Sequence, residues 1–295
     1  MVPVGPLTYR RRMPTAITSD GITVAVHDLG GDGPPLLLAH GTGFHGLVWP
    51  PVARSLRARF HCWALDLRAH GDSGVPEDFD WRGFGLDVLA VIDTFGLTGA
   101  YGAAHSMGGA ALLLAEQEAP GTFEALYLYE PAVAGPSEDR ARPSATAVSA
   151  ARRREVFPSR AAALANYTAK PPMCSFAPEV LAGYVTHGFE DLPDGSVRLK
   201  CRPAHEAAVF EGFPPLAAYA GLSKVLCPVI LGYGAESDDT RRTDRAADLS
   251  RLADSRVVQL TALDHFGPLV HPRRVADSIA AAFAVPYGQT PGQPG

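Results

Sequence analysis

Leu36-Leu37-Leu38-Ala39 is an unbroken apolar run that ends directly on His40-Gly41-Thr42-Gly43. Apolar residues without alternation fit a strand buried on both faces, and such a strand needs helices above and below it. The pattern returns in Cys62 to Leu67, in a short strand ending near Ala104, in Ala125 to Tyr129 and in Pro228 to Tyr233. Stretches with helical spacing stand between them: Leu86 to Phe95, stopped by Gly96, and Met107 to Glu118, closed by Pro120-Gly121. Ile22 to Leu29 alternates instead, as a half-exposed strand does, and ends in Gly30-Gly31-Asp32-Gly33. Strands alternating with helices predict an α/β fold: a mostly parallel central sheet with helices on both faces.

Past Pro131 the texture changes. Residues 134–222 lose the short strand runs and become Ala- and Arg-rich helical stretches broken by Pro136, Pro143, Pro158, Pro171-Pro172, Pro178 and Pro203. The core pattern then resumes, with Arg241 to Leu252 as a helix, Arg256 to Leu260 as a strand and Val275 to Ala284 as a closing helix. The expected organisation is therefore a core of residues 1–133 and 223–285, a helical cap of residues 134–222, and a Gly-, Pro- and Gln-rich flexible tail of residues 286–295.

Composition excludes several classes of function. The 295 residues carry 26 Lys and Arg against 31 Asp and Glu, a net charge of −5, which does not suit binding to nucleic acid. The four cysteines, Cys62, Cys174, Cys201 and Cys227, form no C-x-x-C pair, so neither a zinc site nor a disulfide framework is expected. A reducing, cytoplasmic setting fits them. Arg10-Arg11-Arg12 could open a twin-arginine signal, but no apolar stretch of signal-peptide length follows it. No aliphatic run approaches the roughly 20 residues of a membrane span.

The chemistry concentrates at strand ends. Ala104-His105-Ser106-Met107-Gly108-Gly109 lies between a predicted strand and a predicted helix. Small residues around a serine at such a turn allow a tight, exposed conformation in front of a helix N-terminus, which suits a nucleophile; the plainer role for Ser106 is a helix N-cap. His40-Gly41-Thr42-Gly43 can turn backbone N–H groups toward a developing oxyanion. Asp264-His265-Phe266-Gly267-Pro268-Leu269 follows the last predicted strand, where open α/β sheets keep active-site loops. Glu236-Ser237-Asp238-Asp239 follows the strand Pro228 to Tyr233 and offers carboxylates.

Taken together these segments resemble the α/β-hydrolase superfamily over nearly the whole core. The serine segment is similar to its nucleophile elbow, with Ala104 where glycine is usual, and Leu65 to Ser73 resembles a strand-and-turn segment in which His70 and Ser73 are structural. The resemblance implies a nucleophile at Ser106, a base at His265 and an orienting acid at Asp238, in the chain order this fold uses. Glu130, at the end of the preceding strand, is the rival acid. The oxyanion would be held by the N–H groups of Met107 and Thr42, with Gly43 as the alternative. Segments of the cap resemble the insertion of bacterial and fungal hydrolases, some of them lipase-like, which implies only a capped hydrolase.

The expected activity is hydrolysis of a carboxylic ester or related acyl bond in a small to medium, largely apolar molecule, through an acyl-enzyme. Carbon–carbon bond hydrolysis, a lyase-type reaction, or non-catalytic ligand binding on the same fold are the alternatives. Phe176, Tyr184 and Phe210 are the cap residues expected to line the substrate. No metal or organic cofactor is expected. Arg152-Arg153-Arg154 is read as a solvated helix face.

Overall fold

The computed structural model describes residues 13–133, 135, 145–212, 216–237 and 251–284. Its strands are β1 (Thr15–Ile17), β2 (Thr23–Gly30), β3 (Pro35–Ala39), β4 (His61–Leu65), β5 (Ala100–His105), β6 (Phe123–Tyr129), β7 (Val156–Phe157), β8 (Phe189–Asp191), β9 (Val197–Leu199), β10 (Val229–Gly234) and β11 (Ser255–Leu260). The apolar run that opens the sequence becomes β3, whose residues Leu36, Leu37, Leu38 and Ala39 are fully buried. Eight strands form the central sheet in the order β1-β2-β4-β3-β5-β6-β10-β11. β1 and β2 pair antiparallel, β2 meets β4 antiparallel, and every later pairing is parallel.

Period-two alternation along β3 feeds two apolar layers. Leu37 and Ala39 face one layer with Phe84, Val88 and Val91 of helix α2 (Arg82–Phe95) and Leu112 of helix α3 (Met107–Glu118). Leu36 and Leu38 face the other, with Val52 and Leu56 of helix α1 (Pro50–Leu56) and Val275 and Ile279 of the final helix Pro272–Ala282. All five parallel pairings run the same way, so the carboxyl ends of β3, β5, β6 and β10 reach one edge of the sheet.

The insertion folds beside that edge. It holds helices α4 (Ala145–Ala151), α5 (Arg160–Thr168), α6 (Pro178–His187), α7 (Pro203–Glu211) and α8 (Leu216–Ala220). It also holds a three-stranded antiparallel sheet in the order β7-β9-β8. That sheet was not legible in the sequence, because strands of two or three residues leave no periodic run to read. Phe157, Tyr167, Tyr184 and Phe189 meet edge to face or tilted and make the insertion's own small core. It is tied to the main core where the Ala177 N–H donates to the Leu269 carbonyl at 2.9 Å and the Trp81 indole N–H donates to the Val209 carbonyl at 3.1 Å. The helix expected from Arg241 to Leu252 falls mostly, and the tail 286–295 wholly, outside the described residues. Among the described residues no helix is long and apolar enough to cross a membrane.

Candidate active site

Ser106 stands between the end of β5 and the first turn of α3 with φ +50° and ψ −115°, a left-handed conformation in which an L side chain is strained. Its neighbours hold it there. The Ser106 N–H donates to the Tyr129 carbonyl at 3.0 Å, and its own carbonyl accepts from the N–H groups of Gly109 and Ala132, each at 2.9 Å. Gly108 is forced by packing, since a Cβ there would lie 2.3 Å from the Ala39 carbonyl oxygen and 2.8 Å from that of His40. The small residues that flag the turn in the sequence are thus what lets α3 begin against the end of β3. The Ser106 side chain makes no N-cap hydrogen bond, so it does not serve as a helix cap.

His265 is brought to this turn through its neighbour. The His105 Nε2–H donates to the His265 carbonyl at 2.8 Å, and the two rings lie 4.8 Å apart. His265 Nδ1 meets Glu130 Oε2 at 2.9 Å. Nδ1 therefore carries the proton it donates, which leaves Nε2 as the acceptor nitrogen whenever the ring is neutral.

Glu130 directly follows β6, the neighbour of β5, and is itself left-handed at φ +45°. Its N–H donates to the Gly232 carbonyl at 2.9 Å, its Oε1 accepts from the Gly234 N–H at 3.1 Å, and the Ser237 hydroxyl donates to the same oxygen. Burial alone would push this carboxyl up. The hydrogen bond and charge of His265, with Ser237 and Gly234, outweigh burial and hold it down to about 2. The place beside His265 Nδ1 that the sequence reading assigns to Asp238 is therefore filled by Glu130, the rival acid. Asp238 itself lies outside the described residues. The physical reason is local: the left-handed backbone at Glu130, held by its N–H bond to the Gly232 carbonyl, turns the carboxyl onto His265 Nδ1.

The glycine turn after β3 closes the other side. A Cβ on Gly41 would sit 2.8 Å from His105 Nδ1 and 3.4 Å from Ser106 Cβ, so this turn passes directly beside the serine. Gly43, at φ +83°, donates its N–H to His70 Nε2 at 3.0 Å. That commitment removes Gly43 as the alternative oxyanion donor. Among the described residues the N–H groups of Thr42 and Met107 donate to no protein acceptor. His70 and His40 are structural. Each donates Nδ1–H to a backbone carbonyl, of Arg68 and Gly41, and each accepts a backbone N–H at Nε2, from Gly43 and Leu67. Burial lowers His40 to about 3 and His70 to about 4.

The expected cap residues part ways. Phe176 lies 5.9 Å from the Phe44 ring and 5.5 Å from the Phe266 ring, next to His265. Tyr184 is buried inside the insertion, stacked on His45 at 5.8 Å, with its hydroxyl accepting from Arg153 at 2.7 Å. Phe210 is half-buried on α7 and, among the described residues, makes no ring contact with these aromatics. Arg153 corrects the sequence reading of a solvated face. Arg152 and Arg154 are exposed, but α4 ends at Ala151, and the irregular backbone that follows turns Arg153 inward onto Glu206, Tyr184 and Tyr167. Glu206 and Arg153 were missed as neighbours of the glycine turn, since they stand 53 positions apart with β7, α5, α6, β8 and β9 between them. No group of three or more His, Cys, Asp or Glu suited to a metal ion occurs among the described residues.

A sequence model of the alpha/beta hydrolase family matches residues 36–278. N-formylmaleamate deformylase of Pseudomonas putida is 34% identical over 131 residues, which are 43% of this chain and 48% of that protein. Protein phosphatase methylesterase 1 of Homo sapiens is 37% identical over 100 residues, 30% of this chain and 25% of that protein. The chain thus spans between a quarter and about half the length of these curated relatives. The crystal structure of E-2-(acetamidomethylene)succinate hydrolase superposes with a TM-score of 0.79 at 21% identity, covering 92% of this chain and 99% of that one.

Proposed function

Because the chain belongs to the alpha/beta hydrolase family, we propose that it is a serine hydrolase that cleaves a carboxylic ester or related acyl bond through an acyl-enzyme. Ser106 Oγ attacks the acyl carbonyl while His265 Nε2 takes its proton, and the same nitrogen returns the proton to the leaving group. Glu130 holds the Nδ1–H tautomer and stabilises the imidazolium. The N–H groups of Thr42 and Met107 receive the oxyanion. Water then repeats the sequence on the acyl-enzyme. The observation that carries this reading is the 2.9 Å contact between His265 Nδ1 and the buried Glu130, on a histidine whose ring lies against the residue preceding a strained, left-handed serine.

The rings of Phe44, Phe176 and Phe266 favour a largely apolar acyl or alcohol portion. A second reading is a substrate that carries a carboxylate: Arg153 points inward beside Gly43, and such a substrate would have to share its guanidinium with Glu206, which already pairs with Nη1. The deformylase and the succinate hydrolase are named for substrates of that kind. A panel of aryl esters of equal chain length, neutral and ω-carboxylated, tests both. Turnover that vanishes in Ser106→Ala supports the hydrolase. Turnover retained in that variant sinks it, and a large preference for the anionic esters selects the second reading over the first.

A further inference from the structure

Gly43 is gripped from two sides. On the core side its N–H is committed to His70 Nε2 at 3.0 Å. On the cap side the Glu206 carboxylate presses on its Cα, so that a Cβ there would stand 2.6 Å from Oε1 and 3.0 Å from Cδ. Glu206 projects from α7 and is buried, at 7% exposure. A carboxylate in that position sits one residue from the Thr42 N–H, where negative charge would develop in the reaction, and an unpaired one would oppose it. Arg153 pairs with that carboxylate through Nη1 and donates from Nη2 to the hydroxyls of Tyr184 at 2.7 Å and Tyr167 at 3.4 Å. The guanidinium is thereby already engaged by an anion of the protein's own.

We infer that Arg153 and Glu206 form a charge-neutral latch between cap and core, in which Glu206 is a positioning residue that fixes the glycine turn beside Thr42 and Arg153 cancels the field of that carboxylate at the oxyanion. The inference rests on the reading of Ser106 as nucleophile. It separates two jobs that a single ion pair usually hides. Loss of Glu206 loosens the turn and removes the opposing charge together. Loss of Arg153 leaves the turn held but exposes the oxyanion to a carboxylate roughly 7 Å away, counting standard backbone dimensions and one hydrogen bond. At an effective dielectric of about 20, that opposition slows the chemical step by at most about 50-fold.

The test is a double-mutant cycle on Arg153→Met and Glu206→Gln, with kcat and KM measured on a small neutral aryl acetate and folding checked by the thermal transition. Arg153→Met should lower kcat about 30-fold with KM changed less than threefold. The double variant should recover at least tenfold of that loss, which a merely structural pair would not do. Arg153→Lys, which keeps the charge, should stay within about fivefold of the wild type. Should Arg153→Met fail to fold, Glu206→Asp serves instead: it keeps the pair, withdraws the carboxylate from Gly43, and should lower kcat about fivefold at constant KM. A double variant no faster than Arg153→Met, a Glu206→Asp variant with unchanged kcat, or an Arg153→Met variant impaired only on anionic esters and only in KM each overturns the latch. Wild-type protein that is never labelled at Ser106 by a fluorophosphonate overturns the nucleophile reading instead, so the two failures are distinguishable.

Discussion

Glu130→Gln changes one oxygen to an amide nitrogen at a carboxylate that accepts three hydrogen bonds from described residues. Oε2 accepts from His265 Nδ1 at 2.9 Å, while Oε1 accepts from the Gly234 N–H at 3.1 Å and from the Ser237 hydroxyl. A glutamine cannot serve all three donors. With its amide oxygen toward Gly234 and Ser237, its NH₂ faces Nδ1 and forces the tautomer whose Nε2 carries the proton, so Nε2 cannot accept one from Ser106. With its oxygen toward His265, the NH₂ confronts the Gly234 N–H and leaves a buried donor unpaired, at about 1–3 kcal/mol. Either orientation removes the negative charge that stabilises the imidazolium. Loss of this partner should therefore cost about 10⁴-fold in kcat, close to 5.4 kcal/mol of transition-state stabilisation. The assay is kcat on a p-nitrophenyl ester, run beside Asp238→Asn, which should stay within about fivefold of the wild type. A Glu130→Gln variant that keeps more than a tenth of kcat, or an Asp238→Asn variant that loses more, refutes the assignment.

Other outcomes follow from the same geometry. Gly108→Ala puts a methyl 2.3 Å from the Ala39 carbonyl oxygen, so it should destabilise the fold by about 3 kcal/mol and abolish activity; a melt and a rate within error of the wild type would contradict the packing. Buried His40, His45 and His70 are lowered from 6.5 to about 3, 4 and 4 by burial. Below pH 6.5 the unfolded chain takes up their protons and the native one does not, so the stability these three histidines contribute is fully present above 6.5 and falls by up to about 4 kcal/mol per pH unit toward pH 4. Buried Asp87, which burial raises to about 6, opposes this fall below pH 6 by about 1.4 kcal/mol per unit. Urea titrations at pH 7, 6 and 5 that give equal stabilities would contradict this. Prolonged dialysis against a chelator should leave kcat unchanged, and a loss restored by added metal would point to a different chemistry.

The legible part of the site is the local part. Ser106, the glycine turn and His265 each sit in a short segment whose spacing reports a strand end, because packing at those turns admits only small residues. Gly108 and Gly41 show why, each leaving no room for a Cβ. The acid was harder to choose. Glu236 to Asp239 and Glu130 both follow strands, and nothing in either segment says which strand end faces the histidine. That depends on the left-handed backbone at Glu130 and on the contacts that hold its carboxyl against His265, which are properties of the assembled fold. Arg153 was misplaced for a related reason. Three consecutive arginines look alike in sequence, and only the end of α4 at Ala151 determines which one turns inward. The small sheet of the insertion was invisible because its strands are too short to carry a period.

The most direct measurement is covalent labelling. Wild-type protein treated with a fluorophosphonate and weighed intact should gain the mass of one phosphonyl group, with peptide mapping placing it on Ser106, and hydrolysis of the aryl ester should fall in step with the labelled fraction. Ser106→Ala should gain nothing and hydrolyse nothing, and Glu130→Gln should label far more slowly than the wild type. Full ester hydrolysis by protein that carries no adduct, or an adduct on any residue other than Ser106, would contradict the account.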